Sequence, residues 1–339
     1  EEIAGQEIVE RLGAECADKR RGVVFFSWDG DPQGLLDLTT TEDVFALVAR
    51  GKVQWSKEGL EEIEAMVAES LLFEEAVGAH RRARPKKIKR ISFRVVAQRH
   101  GGRQRYMRKE TRKSLERAVA ARFLRWKRVD EEALVEVWCL EAGGEVLLGV
   151  RLSDRTMRHR TYKEAQIKAS LRPTVARAMV RLCEPGDDDV FLDPMCGAGT
   201  ILIERGEHGR YAQLLGGDIR PEAIAATLTN VGPRYKPIEV REWDAGNLPL
   251  KDGGIDRVVC NLPFGKKVGE PWEMRTLYER FAAELARVLK GGGVVVLLTS
   301  ERKLLQEVLS TSEALYMERL IPVEVRGQAA FFFKLKKII

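Results

Sequence analysis

The sequence predicts an α/β protein whose C-terminal half is a doubly wound, mostly parallel sheet, preceded by a smaller basic α+β half. Three observations carry this expectation. From Ala165 onward, short apolar runs alternate with helical periodicity. One such run, Val190–Leu192, leads into a glycine-bearing turn and a helix start. Twenty Lys and Arg crowd the stretch from Arg81 to Arg128 against Glu110 and Glu116, although the whole chain carries a net charge of +6.

The 339 residues exceed one comfortable hydrophobic core. Domains are placed at 1–72, 73–154 and 171–339, with 155–170 as a linker. The first combines a helix at Gly5–Leu12, a strand at Gly22–Ser27 and a short strand at Leu35–Thr39. Thr41 then caps a helix running towards Ala49, and Gly59–Ala68 reads as an amphipathic helix. This alternation is consistent with a ferredoxin-like module. In the second, Ile91–Ala97 alternates as a strand does, and Lys109–Ala121 has helical spacing through Leu115, Val119 and Phe123. Ala133–Cys139 and Glu145–Arg151 are β-rich runs joined by Ala142-Gly143-Gly144, a hairpin signal. Arg155–Lys163 is a polar connector.

In the third, strands are expected at Val190–Leu192, Leu214–Gly217, Ile238–Glu242, Asp256–Cys260 and Gly293–Thr299. Helices are expected at Arg172–Leu182, Thr200–Arg205, Pro221–Val231, Glu273–Leu289 and Lys303–Leu309. Ala314–Val325 and Ala329–Lys336 close the domain as an antiparallel hairpin. A sheet of this kind binds its ligand beyond the carboxyl ends of its first strands.

With 44% hydrophobic and 32% charged residues, the chain is neither disordered nor fibrous. No apolar run approaches the roughly 20 residues of a membrane helix. Glu1-Glu2-Ile3 has the features of neither part of a leader peptide and reads as a chain entered mid-domain or lacking its first residues. The five cysteines and four histidines are scattered without ligand spacing, so reduced thiols, no metal and a soluble cytoplasmic chain are expected.

Val190-Phe191-Leu192-Asp193-Pro194-Met195-Cys196-Gly197-Ala198-Gly199-Thr200 reads as a buried strand, a tight turn and a helix start. Asp193 ends the strand where a pyrophosphate would be repelled, and Gly199 is followed by Thr200-Ile201-Leu202, so the dinucleotide fingerprint fails. The carboxylate suits a zwitterionic or cationic ligand with amino and hydroxyl groups. Asp218, followed by Ile219, ends the second strand, where an acid accepts ribose hydroxyls. Asp244-Ala245 follows the third strand, placed to accept from an adenine amine. Any one of these acids is equally a helix cap or turn residue; their recurrence at three successive strand ends favours the ligand.

After the fourth strand comes Asn261-Leu262-Pro263-Phe264-Gly265. Together with Asp-Pro-Met-Cys-Gly-Ala-Gly-Thr and the two later acids, it resembles the class I methyltransferase pattern. It is most similar to THUMP-domain tRNA guanine-N2-methyltransferases. The resemblance implies a Rossmann-like catalytic domain that uses S-adenosyl-L-methionine (SAM), behind ferredoxin-like and THUMP modules. The cofactor residues it implies are Asp193, Pro194, Cys196, Gly197, Gly199, Thr200, Asp218, Ile219, Asp244, Ala245 and Asn261, with Thr174 over the cofactor. Leu171-Arg172-Pro173-Thr174 leads into the domain in the family's order.

A guanine N2 lone pair is delocalised into the ring and is a poor nucleophile, yet needs no strong base. Asn261 would accept one amine proton and the Leu262 carbonyl the other, orienting the lone pair. Pro263 offers no competing N–H, and Phe264 would stack on an extruded base. Leu262 stands where many amine methyltransferases carry Pro, which disfavours adenine N6. Cys260 invites a thiolate mechanism, but it ends an apolar strand rather than standing on a loop.

THUMP-like modules, by resemblance, hold the 3′ end and acceptor stem of tRNA. Arg81, Arg82, Arg84, Lys86, Lys87, Arg99, Arg103, Arg105, Arg108, Lys109, Arg112 and Lys113 are the candidate RNA contacts, with a solvated lysine-rich surface as the alternative. Position 6 of the acceptor stem is favoured over position 10, for a monomeric enzyme. Ribosomal RNA, a DNA or protein amine, and a non-catalytic RNA-binding protein remain as alternatives.

Overall fold

The chain divides, in a computed structural model, into Gly5–Met157 and a second unit of Arg158–Ile339 with Glu1–Ala4. The structure describes all residues except 21, 86–89, 143, 168–169, 265–270 and 339.

Helix α1 (Glu2–Leu12) precedes an antiparallel pair, β1 (Glu15–Arg20) and β2 (Val23–Ser27). Pro32–Asp37 is a 3-10 helix where a strand over Leu35–Thr39 was expected. Its coil starts because Asp31 accepts the Gln33 N–H at 3.0 Å and Pro32 presets φ. The helix expected from Thr41 is instead the strand β3 (Phe45–Lys52). Its partner is β7, which pairs Phe45 with Arg151, so a contact far away in sequence overrides a local capping signal.

The unit continues through α2 (Glu58–Glu69), α3 (Phe73–Ala83), β4 (Ser92–His100), α4 (Arg108–Arg122), β5 (Lys127–Arg128), β6 (Val135–Ala142) and β7 (Glu145–Arg151). The strands form one sheet in the order β3-β7-β6-β4-β5. Alternate residues Phe93, Val95, Val135, Val137 and Cys139 meet Ile63, Val67, Phe73, Leu115 and Val119 of the helices in one core. Because β3 is a member, this sheet crosses the boundary placed at residue 72. Gly144, in the β6–β7 turn, has φ +83°, while Gly143 lies outside the described residues.

The second unit contains α5 (Pro173–Leu182), β8 (Val190–Asp193), α6 (Thr200–Gly206), β9 (Gln213–Asp218), α7 (Pro221–Val231), β10 (Ile238–Glu242) and β11 (Ile255–Asn261). It closes with α8 (Pro271–Val288), β12 (Leu289–Thr299), α9 (Arg302–Ser310), β13 (Leu315–Val325) and β14 (Gln328–Lys337). The sheet order is β10-β9-β8-β11-β12-β14-β13, with β14 antiparallel to both neighbours and the other pairings parallel. Its inner strands β8, β11 and β12 are largely apolar and buried because α8 and α9 cover one face and α5, α6 and α7 the other. From β8 the chain steps outward to β9 and β10, then returns to β11 on the opposite side. That reversal opens a crevice at the carboxyl ends of β8 and β11. No helix among the described residues is long and apolar enough to cross a membrane.

Candidate active site

Phe191 and Leu192 are fully buried, and they carry Asp193 to the end of β8 with no exposed surface. Among the described residues, neither carboxylate oxygen of Asp193 has a hydrogen-bond partner. The Met195 N–H faces it without reaching bonding geometry. Burial pushes this carboxyl well above the usual range, and the nearby Asp218 adds to the effect. Thr200 Oγ1 and Asn261 Oδ1 are likewise buried without a partner among the described residues. Buried polar atoms in proteins are nearly always satisfied, so four orphaned oxygens around one turn mark a place for a ligand.

The turn itself is tightly held. Cys196 N donates to Gly217 O at 2.8 Å and Gly197 N to Asp218 Oδ2 at 3.0 Å, which lays the turn over the end of β9. Gly199 has φ +75°, and a Cβ there would lie 2.8 Å from Thr227 Cγ2. On α7, Thr227 Oγ1 donates to Gly197 O at 2.8 Å, and Asn230 Nδ2 donates to Ala198 O at 2.9 Å. The Asn230 amide also pairs both ways with the Ala165 backbone, at 2.8 and 2.9 Å. The indole N–H of Trp243 donates to Pro194 O at 3.0 Å. Its ring lies so close to Gly217 that a Cβ would be 2.1 Å away. The sequence reading missed Thr227 and Asn230, although two polar residues i, i+3 on a largely apolar helix were a visible signal.

The three expected acids have different surroundings. Asp218 is buried and accepts from Gly197 N and from the Arg220 N–H and guanidinium, so ribose hydroxyls would use its remaining lone pairs. Asp244 is bound by Gly246 N at 2.8 Å and by Arg280 at 2.8 Å, which hold its carboxyl below the usual range. Ile219 is 65% exposed beside Asp218, an apolar surface suited to a flat ring, whereas the Ala245 side chain is in the core. Thr174 is buried in the first turn of α5. Cys196 and Cys260 are buried thiols pushed up by burial, and Cys260 lies within β11. Neither is displayed as a nucleophile.

At the end of β11, Leu192 pairs with Val258, which puts Asn261 about two residues beyond Asp193, or roughly 7 Å towards the open end. Leu262 N donates to Leu298 O at 3.0 Å, and Pro263 O accepts from the Tyr278 hydroxyl at 3.1 Å. Phe264 is half-buried and packs against the core cluster of α5 and α6. Gly265 lies outside the described residues. The donor set fits SAM: an unpaired carboxylate and a backbone turn closed to side chains for its aminoacyl end, with Asp218 and Ile219 for its nucleoside. When bound, SAM supplies an electrophilic methyl group.

Among the candidate RNA contacts, Arg103, Arg105, Arg108, Lys109, Arg112 and Lys113 are exposed, as are Arg81 and Arg82 at the end of α3. Arg103 lies over Trp55 with its guanidinium carbon 5.9 Å from the ring centre. Arg84 is half-buried, 3.7 Å from Asp154. Arg99 departs from expectation. It binds the buried Glu141 at 2.7 Å and the Tyr106 carbonyl at 2.8 Å, so its guanidinium is engaged inside the unit. Lys86 and Lys87 lie outside the described residues.

A match to the UPF0020 model, RMKL-like methyltransferase domain, covers residues 160–329. The chain is 30% identical over 262 residues to the tRNA (guanine(6)-N(2))-methyltransferase THUMP3 of Bos taurus, covering 73% of this chain and 51% of that protein. It is 37% identical over 136 residues to the U6 snRNA (guanine-N(2))-methyltransferase THUMPD2 of the same species, covering 39% and 26%. The chain thus spans about half the length, or less, of these curated relatives. The structure of TrmN from Thermus thermophilus superposes with a TM-score of 0.79 at 25% identity, covering 100% of this chain and 96% of that one. The match spans the orphaned carboxylate, the glycine turn and the Asn-Leu-Pro-Phe loop alike, and on that ground the chain belongs to the RMKL-like family of class I, SAM-dependent methyltransferases.

Proposed function

We propose that the chain methylates the exocyclic N2 of a guanosine in tRNA, at position 6 of the acceptor stem. The observation that carries this reading is the buried Asn261 Oδ1, which is without a partner among the described residues and lies just beyond Asp193. An amide oxygen in that position accepts one proton of a flat amine. The Leu262 carbonyl would take the other, and Pro263 fixes φ directly after that carbonyl and brings no donor of its own into the pocket. Two acceptors fix the plane of the amine and favour the charge that develops on nitrogen. Phe264 would bound the base pocket, and Thr174, Pro194, Cys196 and Thr200 would line the cofactor.

The tRNA substrate is supported by the name of the Bos taurus relative and by the exposed basic residues of α4. We assign the N-terminal half, whose five-stranded sheet joins residues on both sides of position 72, to ferredoxin-like and THUMP modules, 155–170 to a linker and 171–339 to catalysis, in a cytoplasmic monomer. The 37% identity to an enzyme named for U6 snRNA favours a second reading, the same reaction on that RNA. Incubation with labelled SAM and unmodified tRNA, U6 snRNA or ribosomal RNA, followed by nucleoside analysis, tests both. The expected product is N2-methylguanosine at position 6 of tRNA. Labelled product on U6 snRNA alone selects the second reading, and absence of N2-methylguanosine from every RNA refutes both.

A further inference from the structure

Two hydrogen bonds hold the Asn-Leu-Pro-Phe loop, one on each side of the Leu262–Pro263 peptide. Upstream, Leu262 N donates to Leu298 O at 3.0 Å. Downstream, the Tyr278 hydroxyl meets Pro263 O at 3.1 Å. Between them lies the Leu262 carbonyl, followed by a proline whose ring fixes φ. With both flanks pinned, the direction of that carbonyl is set by the two anchors.

The second anchor is built for the purpose. Tyr278 is 1% exposed, Thr299 0%, and their hydroxyl oxygens are 2.8 Å apart. A carbonyl only accepts, so the Tyr278 proton goes to Pro263 O, and Thr299 must donate to the Tyr278 oxygen. Thr299 Oγ1 in turn accepts from Glu301 N at 3.0 Å. The result is a one-directional chain from Glu301 N–H through Thr299 and Tyr278 to Pro263, in which each bond polarises the next. A phenylalanine at 278 would fill the same apolar space between Met274, Phe281 and Leu262, so packing alone does not call for the hydroxyl.

We propose that Tyr278 is a positioning residue for methyl transfer, aiming the Leu262 carbonyl at the second proton of the substrate amine. The inference rests on the amine-methyltransferase reading above. It predicts a defect in turnover rather than in binding, because among the described residues the Tyr278 hydroxyl is bonded to Pro263 and Thr299 and to no residue of the cofactor turn.

The test compares wild type, Tyr278→Phe, Thr299→Val and the double variant on the RNA that wild type methylates. Measured are kcat, KM for both substrates, SAM affinity by calorimetry, and Tm. Tyr278→Phe is expected to lower kcat about five- to tenfold, the worth of one buried hydrogen bond, with SAM affinity and both KM values unchanged. Thr299→Val leaves the Tyr278–Pro263 bond in place and should lower kcat about twofold, since it loses only the polarising donor. The double variant should match Tyr278→Phe, because Thr299 acts through Tyr278. Unchanged kcat in Tyr278→Phe overturns the proposal. So does a loss of kcat accompanied by an equal loss of SAM affinity, which would signal general loosening. Should Tyr278→Phe fail to fold, Thr299→Val decides alone: reduced kcat at unchanged SAM affinity supports the role, and unchanged kcat overturns it. A wild-type chain that binds SAM but methylates no guanosine refutes the underlying reaction, and the positioning role with it.

Discussion

Asp193→Asn separates what the active site requires from what the fold would prefer. The carboxylate is fully buried, and among the described residues neither oxygen has a donor. An unpaired buried polar group costs about 1–3 kcal/mol, and a charged one more. The sign follows from linkage. The folded-state pKa is raised, so the folded chain retains a proton that the unfolded chain releases above the ordinary carboxylate range. Stability from this group is therefore full at low pH and is lost as pH rises through the normal carboxylate value towards the raised one. Asparagine has nearly the same shape and no charge. Without cofactor at pH 7.5, the variant should gain about 1–3 kcal/mol, a rise in Tm of roughly 2–4 °C for each kcal/mol. Below pH 4 the gain should disappear, because the wild-type group is protonated in both states. With SAM at a hundredfold excess over its Kd, wild type should gain about 2.7 kcal/mol, and the variant little or none. Thermal unfolding at both pH values, with and without SAM, checks all four quantities. If the variant melts below wild type at pH 7.5 without SAM, or keeps the full SAM shift, the assignment of Asp193 to the cofactor fails.

Asn261→Ala should lower kcat by about 10²–10³, the loss typical of one preorganised acceptor or donor, while calorimetry shows SAM affinity unchanged, since the proposed function gives its Oδ1 to the substrate amine and not to the cofactor. Arg99→Ala should destabilise the N-terminal unit by about 3 kcal/mol, because Glu141 is left buried without its guanidinium partner and, among the described residues, held by the Thr111 hydroxyl, a loss read from urea denaturation. Arg112→Ala with Lys113→Ala should leave stability within about 0.5 kcal/mol, since both side chains are exposed. Filter binding across salt concentrations should show a shallower log–log slope for this pair, by about one to two, from a wild-type value of roughly −4 to −5 for six phosphates. Lys163 donates to Leu171 O at 2.7 Å, and burial, with Arg326 nearby, lowers its pKa to about 8. Its folded pKa is below that of the unfolded chain, so wild type should gain stability relative to Lys163→Met as pH rises from about 8 to 10.5, seen as a rising difference in urea midpoint.

The catalytic half was legible because its signals are local. Val190–Leu192 and Val258–Cys260 are short continuous apolar runs, and Asp193 and Asn261 follow them directly. The N-terminal half was less so because its decisive contacts are distant. Phe45–Lys52 extends only through its pairing with Glu145–Arg151, and nothing near Thr41 announces that partner. The same limit applies to individual side chains. Arg99 and Arg112 look alike within a basic run, yet one faces Glu141 inside the unit and the other faces solvent. Tyr278 lies 15 residues beyond the proline it holds, and only the fold of α8 against β11 and β12 reveals the bond.

The three strand-end acids show why position alone could not assign roles. In sequence they are equivalent, each at or just after the end of an expected strand. Asp244 is neutralised by Arg280 and tied to Gly246, and Asp218 is bound to the glycine turn and to Arg220, so both are satisfied without any ligand. Asp193 is not. A carboxylate kept fully buried and unpaired destabilises the cofactor-free protein, and such a group persists only where something else compensates it. The fixed surroundings point to what that is. The turn above Asp193 is locked by Thr227, Asn230 and Trp243, none of which reaches the carboxylate, so the protein does not relax around it. A rigid frame around an unsatisfied acid is preorganised for a cation or an amine rather than for water. The cofactor-free strain at Asp193 and the affinity for SAM are on this account the same free energy, measured from opposite ends.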